Sequence, residues 1–369
     1  MDRSKLLKAY RESAWKSPFR EIKRIVHGDV PTFMEFPMAS HPGELQGAHA
    51  AFIGFPHEGF RPYSPRELMP PKGARAPRDS VYFRTGTDEA PASVRRWSLH
   101  HSILHYGGEG YMVEWDMKLS DWIKAVDYGD VDCRYGDIPG NVNRAKDRVE
   151  EVVRAGAIPL VQGGDHSTPI PALLGIAECT NERIGIIGFD AHFDLYGLEE
   201  DISEDFKYSA TCQYMRALEL PNVEPENVVL IGMKGIHNPE VWARIARNLG
   251  IEYFTMKDID DLGIDEVVKR ALDRACSATT RLYVTLDIDV VDFAMCPGQR
   301  YPDTPGLSPR EIVRALRRIG ERGLVSGFDI SCLSPQYDET GATQLLAARC
   351  HLEVLSGIAH QFRARRRRP

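Results

Sequence analysis

The chain has no Cys-x-x-Cys pair. Its seven cysteines, Cys133, Cys179, Cys212, Cys276, Cys296, Cys332 and Cys350, are odd in number and scattered. That argues against a disulfide framework or a zinc-thiolate cluster and fits a reducing compartment. No run approaches the roughly 20 apolar residues of a membrane span. The opening MDRSKLLKAYRESAWK is charged throughout and lacks the apolar stretch and cleavage site of a secretory leader. Net charge is small: Lys+Arg 46 against Asp+Glu 53 gives −7, well mixed along the chain, which does not resemble a dedicated nucleic-acid binder. The one strong bias is RARRRRP at 363–369, read as a solvated or subunit-contacting end. No internal repeat is visible. These absences lead to an expectation of a soluble cytoplasmic protein with no membrane or nucleic-acid partner.

What is present suits a large packed core. At 369 residues and 43% hydrophobic, the chain can form one large α/β domain or two smaller ones. Residues 3–14 read as a short amphipathic helix, followed by irregular chain to about residue 48. The Pro-, Arg- and Gly-rich stretch 59–95 has no periodicity, and such a loop is usually a lid, a binding loop or an oligomer contact. It leads into EAPASVRRWSLHHSIL, which reads as a helix, and from there Ile-, Val- and Leu-rich runs alternate with helical patterns. The strand-like runs are AHAAFIGFP, WIKAVDYGDV, AIPLVQGG, RIGIIGF, NVVLIGMKG, TRLYVTLD and GLVSGFDIS. Alternation of this kind predicts a parallel sheet covered by helices on both faces. LSPREIVRALRRIG opens with Ser308, Pro309 and Glu311, a capping box with proline at the first helical position. The organisation read from these patterns is an N-terminal extension 1–47, a main domain 48–362 carrying the insertion 59–95, and a basic tail 363–369.

Polar residues collect where three of the strands end. GGDHS carries Asp165 and His166, DAHFD carries Asp190, His192 and Asp194, and LDIDVVD carries Asp287, Asp289 and Asp292. Ligands of open α/β sheets bind at the carboxyl ends of strands, so the three groups can converge. The strand period of two predicts that Asp190, His192 and Asp194 point to one side, and likewise Asp287 with Asp289. Facing carboxylates would drive protons back on unless cations balance them. Two divalent ions balance Asp190, Asp194, Asp287 and Asp289, and neutral imidazoles of His166 and His192 complete the shells. Carboxylate and imidazole ligation without thiolate suits Mn²⁺, Fe²⁺, Ni²⁺ or Zn²⁺ better than Ca²⁺ or a thiophilic ion. Such a pair lowers the pKa of a shared water and makes it a nucleophile.

GGDHS, DAHFD and DIDVVD resemble the three signatures of the ureohydrolase family, which includes arginase and agmatinase; AFIGFP, DYGDV and GFDISCLSPQYDETGATQLLAAR extend the resemblance from about Ala50 onward. It implies a three-layer α/β/α fold on a parallel sheet of about eight strands, arginase-like. It also implies that His166, Asp190, Asp194 and Asp287 bind one metal and that Asp190, His192, Asp287 and Asp289 bind the other. Asp190 and Asp287 would then bridge, as the residues closest to catalysis. The resemblance further implies two Mn²⁺ or Ni²⁺ ions, cleavage of a guanidino C–N bond, and a trimer or hexamer. Asp165 and Asp292 read as supporting or turn groups.

Three positions depart from the family pattern. Ala210, in KYSATCQYMRA, stands where the family has a histidine, and Cys332, in FDISCLSP, where it has a glutamate that grips the guanidinium. Phe193 occupies the middle of DAHFD, where Thr or Ser is usual. Loss of the glutamate removes a charge-assisted hydrogen bond of roughly 1.5–3 kcal/mol. Loss of the histidine removes a positioned acid of the kind that contributes about 10²–10⁴-fold. Phe193 either narrows the pocket or points into the core, and a cysteine such as Cys332 is commonly a small core residue. His237, in MKGIHNPE, is the candidate substitute proton donor; His101 and His105, four apart, could form a surface metal clip. The expected substrate is guanidine, a substituted guanidine or a biguanide such as metformin rather than agmatine or arginine. The alternatives are a non-catalytic subunit of a hetero-oligomer, and an agmatinase or guanidinobutyrase with a compensated pocket.

Overall fold

A computed structural model describes residues 25–59, 84–102, 110–197 and 204–366. Its centre is an eight-stranded sheet: β1 (Ala50–Phe55), β2 (Ala125–Asp130), β3 (Ile158–Gly163), β4 (Ile184–Phe189), β5 (Val228–Met233), β6 (Glu252–Thr255), β7 (Arg281–Asp287) and β8 (Val325–Ser331). The strands run in the order β6-β5-β4-β7-β8-β3-β1-β2, and every pairing is parallel. Strands β1, β4 and β5 are buried at every residue, as a sheet covered on both faces requires.

Successive strand residues feed two separate cores. Phe52, Ile187, Val229, Ile231 and Val284 lie in one with α1 (Ala90–Ser98), α5 (Ile264–Ala275), α6 (Pro309–Arg322) and α7 (Ala342–Arg366). Their neighbours Ile53, Ile186, Val228, Leu230 and Tyr283 lie in the other with α2 (Ile138–Arg154), α3 (Pro169–Ala177) and α4 (Glu240–Leu249). The pleat sends alternate side chains to opposite faces, which produces the three layers. The capping box is formed: Ser308 accepts from the Glu311 backbone N–H while Glu311 Oε2 accepts from Ser308 N at 2.7 Å. Gly323, in the left-handed region at φ 73°, ends α6.

The boundary expected at residue 47 is not a structural one. Phe33 stacks on Phe52 of β1 with ring centroids 4.1 Å apart, and Phe33 N donates to buried Asp127 Oδ2 at 2.6 Å. The described part of the N-terminal segment therefore belongs to the core. The helix expected over EAPASVRRWSLHHSIL is present as α1, and the stretch 59–95 already turns helical at Thr87. The helix expected over 3–14, the loop residues 60–83 and the tail residues 367–369 lie outside the described residues. Arg363, inside α7, donates to the carbonyls of Trp115 and Asp116 at 2.9 Å each, so the basic run begins docked. No helix among the described residues is long and apolar enough to cross a membrane.

Candidate metal centre

Four strands adjacent in the sheet, β4, β7, β8 and β3, end at one place. The pleat, however, is not what aligns the polar residues there. Strand β4 stops at Phe189, and residues 190–194 follow as a bent segment with Asp194 at φ 46°. Hydrogen bonds fix that bend: His192 N donates to Asp190 Oδ1 at 2.6 Å and Ala191 N to Asp289 Oδ1 at 3.1 Å. Strand β7 likewise stops at Asp287, and a 3₁₀ turn over Ile288–Val290 lets Asp289 N donate to Asp287 Oδ1 at 2.9 Å. The period-of-two expectation is corrected accordingly, because the chain must turn at a strand end for neighbouring residues to face one point.

The result is a compact cluster. His166 Nδ1 lies 3.0 Å from Asp194 Oδ2, 3.1 Å from Asp287 Oδ2 and 3.2 Å from Asp190 Oδ2. His192 Nδ1 lies 3.1 Å from Asp289 Oδ2 and 3.6 Å from Asp190 Oδ1. Asp190 therefore shows one oxygen to each histidine. Gln213, in the short helix Gln213–Ala217, donates Nε2 to Asp194 Oδ2 at 2.8 Å and sits 2.9 Å from His166 Nδ1.

Electrostatics show what this cluster needs. Burial, then the Asp194 charge, pushes Asp190 up to about 7, and burial with Asp289 pushes Asp287 well above the carboxylate range. Burial works against charge on both histidines, yet the carboxylates, Asp190 foremost at His166 and Asp289 at His192, raise both well above the usual value. The buried Asp190 Oδ2 has no hydrogen-bond partner. An acceptor-rich nest of oxygens and nitrogens with too little positive charge fits a pair of first-row divalent cations. Within the nest, the donor atoms of His166, Asp190 and Asp194, and those of Asp190, His192 and Asp289, each lie within 4.8 Å of one another.

The remaining expectations fall in different places. Phe193 is a correction if read as pocket wall: it is 4% exposed, meets the Tyr253 ring edge-on at 4.9 Å, and belongs to the core beside α4. Cys332 lies in the site, grouped with His166 and Asp287, at the end of β8. Ala210 is half-buried three residues before Gln213. His237 is exposed, its ring stacked 6.5 Å from His192, and its nitrogens group with His192 and Asp303. Asp165 is a supporting group: it faces Arg300 Nη1 at 3.2 Å and accepts from Gly59 N, and although burial opposes charge, Arg300 then His57 hold it down at about 2. Asp292 braces a turn, accepting from Ala294 N, Thr304 Oγ1 and Gly306 N. His101 is half-buried, and His105 lies outside the described residues, so no clip is described.

Three residues at the site went unnoticed in the sequence. Gln213 carried no signal beyond being a polar residue in a short helix. Asn238 staples the His237 loop to the bent segment, accepting from Phe193 N at 2.9 Å and donating to the Ala191 carbonyl at 2.9 Å. Lys234, 8% exposed at the end of β5, was findable, since a cation at a strand's carboxyl end obeys the same placement rule as the carboxylates. Burial lowers its pKa while Asp289 and Asp303 oppose that shift.

The comparisons with known proteins agree with this geometry. Residues 74–357 match the model of the arginase family. Proclavaminate amidinohydrolase of Streptomyces clavuligerus is 28% identical over 342 residues, spanning 91% of this chain and 96% of that protein. Its solved structure overlays with a TM-score of 0.73 at 26% identity, covering 90% of this chain and 98% of that one. Guanidinopropionase of Pseudomonas aeruginosa is 27% identical, covering 89% of this chain and 92% of that protein. With the fold and the length of the match in agreement, the chain belongs to the arginase family.

Proposed function

We propose that this chain is a binuclear metal-dependent amidinohydrolase. It cleaves a C–N bond of a guanidino-type substrate and releases urea or a urea analogue. The observation that supports this reading is the position of Asp190 between His166 and His192, with Asp194, Asp287 and Asp289 closing the same small volume. His166, Asp190, Asp194 and Asp287 would hold one ion, and Asp190, His192, Asp287 and Asp289 the other. When bound, two Mn²⁺ or Ni²⁺ ions would supply Lewis acidity and a water activated toward a trigonal guanidinium carbon.

The protein's own groups do the rest. Gln213 holds Asp194 and His166 in register. Asn238 fixes the loop bearing His237 against the ligand segment. His237, exposed beside His192, would hand a proton to the departing nitrogen, the task left open by Ala210. With Cys332 where a glutamate would grip a substituted cation, the preferred substrate is guanidine, a substituted guanidine or a biguanide such as metformin. Relatives that carry the names proclavaminate amidinohydrolase and guanidinopropionase support a guanidino chemistry in general and leave its side chain open.

The test is urea release from a panel of guanidine, guanidinobutyrate, biguanides, agmatine and arginine after loading with Mn²⁺ or Ni²⁺. Turnover is expected for guanidine or a biguanide, with agmatine and arginine poor. Efficient agmatine turnover would overturn the substrate assignment. A chain that loads metal, co-purifies with a related chain and is by itself silent toward every substrate would overturn the catalytic one in favour of a non-catalytic subunit.

A further inference from the structure

We propose that Cys332 supplies a sulfur donor to the metal centre on the His166–Asp287 side, so that this position takes a softer divalent ion of the zinc, cobalt or nickel class in preference to manganese. The inference rests on the metal centre of the proposed function and adds a donor to it.

The sheet order places the thiol there. Strand β8 lies between β7, which ends in Asp287, and β3, which leads into His166. The residue after β8 therefore emerges between those two ligands. Donor atoms of His166, Asp287 and Cys332 lie within 4.8 Å of one another, all three residues being buried. Among the described residues, no other cysteine is grouped with histidine and carboxylate donors in this way.

Two further observations carry the argument past proximity. Cys332 sits in the left-handed region at φ 63°, a conformation that costs a residue with a Cβ roughly 1 kcal/mol or more. Both backbone groups hold it there: its N–H donates to the Gly164 carbonyl at 2.8 Å, and its carbonyl accepts from Arg300 N at 2.8 Å. A glycine would relieve that strain, and a strained position that keeps its side chain points to a use for the side chain. The second observation is Asp190 Oδ2, fully buried and without a hydrogen-bond partner, in contact with the same His166 Nδ1. The cluster is thus short of a cation on the side where the sulfur lies. Thiolate ligands favour zinc and its soft neighbours over manganese, which prefers oxygen. The thiol proton would leave to solvent as the sulfur–metal bond forms.

Cobalt reports sulfur ligation directly. The full chain, stripped of metal and loaded with Co²⁺, is expected to show a sulfur-to-cobalt charge-transfer band in the near ultraviolet. The band is expected to disappear in Cys332→Ser and persist in Cys296→Ser, a buried cysteine outside the cluster. Competition between Zn²⁺ and Mn²⁺ is expected to shift toward Mn²⁺ in Cys332→Ser. Elemental analysis of the wild type separates the two claims. Two cobalt ions per chain without the band would overturn the sulfur donor and leave the metal centre standing. A band surviving in Cys332→Ser would also overturn it, and no bound cobalt would overturn both. Because the band is read first in the wild type, the test does not depend on a variant folding.

Discussion

Gln213 Nε2 donates to Asp194 Oδ2 at 2.8 Å, and so braces a carboxylate ligand candidate whose backbone lies in the left-handed region. Asp194 at φ 46° cannot be held by a regular strand ladder. Its position depends on this contact and on His166. Partners that orient metal ligands typically account for about 10–100-fold in metal affinity. Gln213→Ala is therefore expected to weaken divalent-ion binding by about that factor with little change in the unfolding midpoint of the metal-free chain. Calorimetric titration with Mn²⁺ and Zn²⁺ checks this, and unchanged affinity would mean that Asp194 is oriented by something else.

Arg95 clamps α1 to β2. Its Nε and Nη2 meet the two oxygens of Asp127 at 2.8 and 2.9 Å, and Nη1 pairs with Asp130. Arg95 and Asp127 are fully buried, and Asp127 also receives Phe33 N. Removing one partner of a buried pair leaves the other charge without compensation. Arg95→Ala is expected to destabilise the fold by about 3–5 kcal/mol, read from urea unfolding. Asp127→Asn should cost less, since the amide keeps one acceptor for Phe33 N.

His351 makes stability depend on pH. It is fully buried among Phe33, Phe52 and Phe328, with Nε2 bonded to Gln162 Oε1 at 3.2 Å, and burial lowers its pKa to about 3. The unfolded chain, with an ordinary imidazole near 6.5, binds the proton more readily than the folded one. The stability that the neutral imidazole contributes is thus present above about pH 6.5 and is lost as pH falls from there toward 3. Urea midpoints measured from pH 7 to 4.5 should decline, and His351→Phe should decline less steeply. Equal slopes would show that His351 titrates alike in both states.

The substrate reading also has a gain-of-function arm. Restoring both residues that the family pattern expects, in the double variant Ala210→His with Cys332→Glu, should raise kcat/KM for agmatine by about tenfold or more, since a charge-assisted hydrogen bond to the cation is worth about 1.5–3 kcal/mol. The measurement is urea release with agmatine as sole substrate. No gain in a folded, metal-loaded double variant would move the specificity elsewhere in the pocket.

How much of this was legible in the sequence depended on whether chemistry or contact decided it. Seven of the eight sheet strands showed as Ile- and Val-rich runs, because burial on both faces leaves little room for anything else. The eighth, β6, is the edge strand EYFT, four residues and mostly half-buried, too short and too mixed to show a period. The cluster of His166, Asp190, His192, Asp194, Asp287 and Asp289 was visible because three strand ends carry such groups at once, whereas a lone strand-end carboxylate such as Asp292 only braces a turn. How they converge was not visible, since a bend at Asp194 and a 3₁₀ turn at Ile288 replace the pleat. Phe193 could be read either way until its contact with Tyr253 placed it in the core. Gln213 and Asn238 act through side-chain hydrogen bonds to segments distant in sequence, and a lone polar residue in a sequence carries no mark of its partners.

The central claim is that these six side chains hold two divalent ions. Equilibrium dialysis of the metal-stripped full chain against Mn²⁺, Ni²⁺ or Zn²⁺, followed by elemental analysis, tests it most directly. The account predicts about two ions per chain in the wild type and loss of both in Asp190→Ala and Asp287→Ala, the two residues proposed to touch both ions. A wild-type chain that takes up no ion, or an Asp190→Ala chain that still binds two, would contradict it.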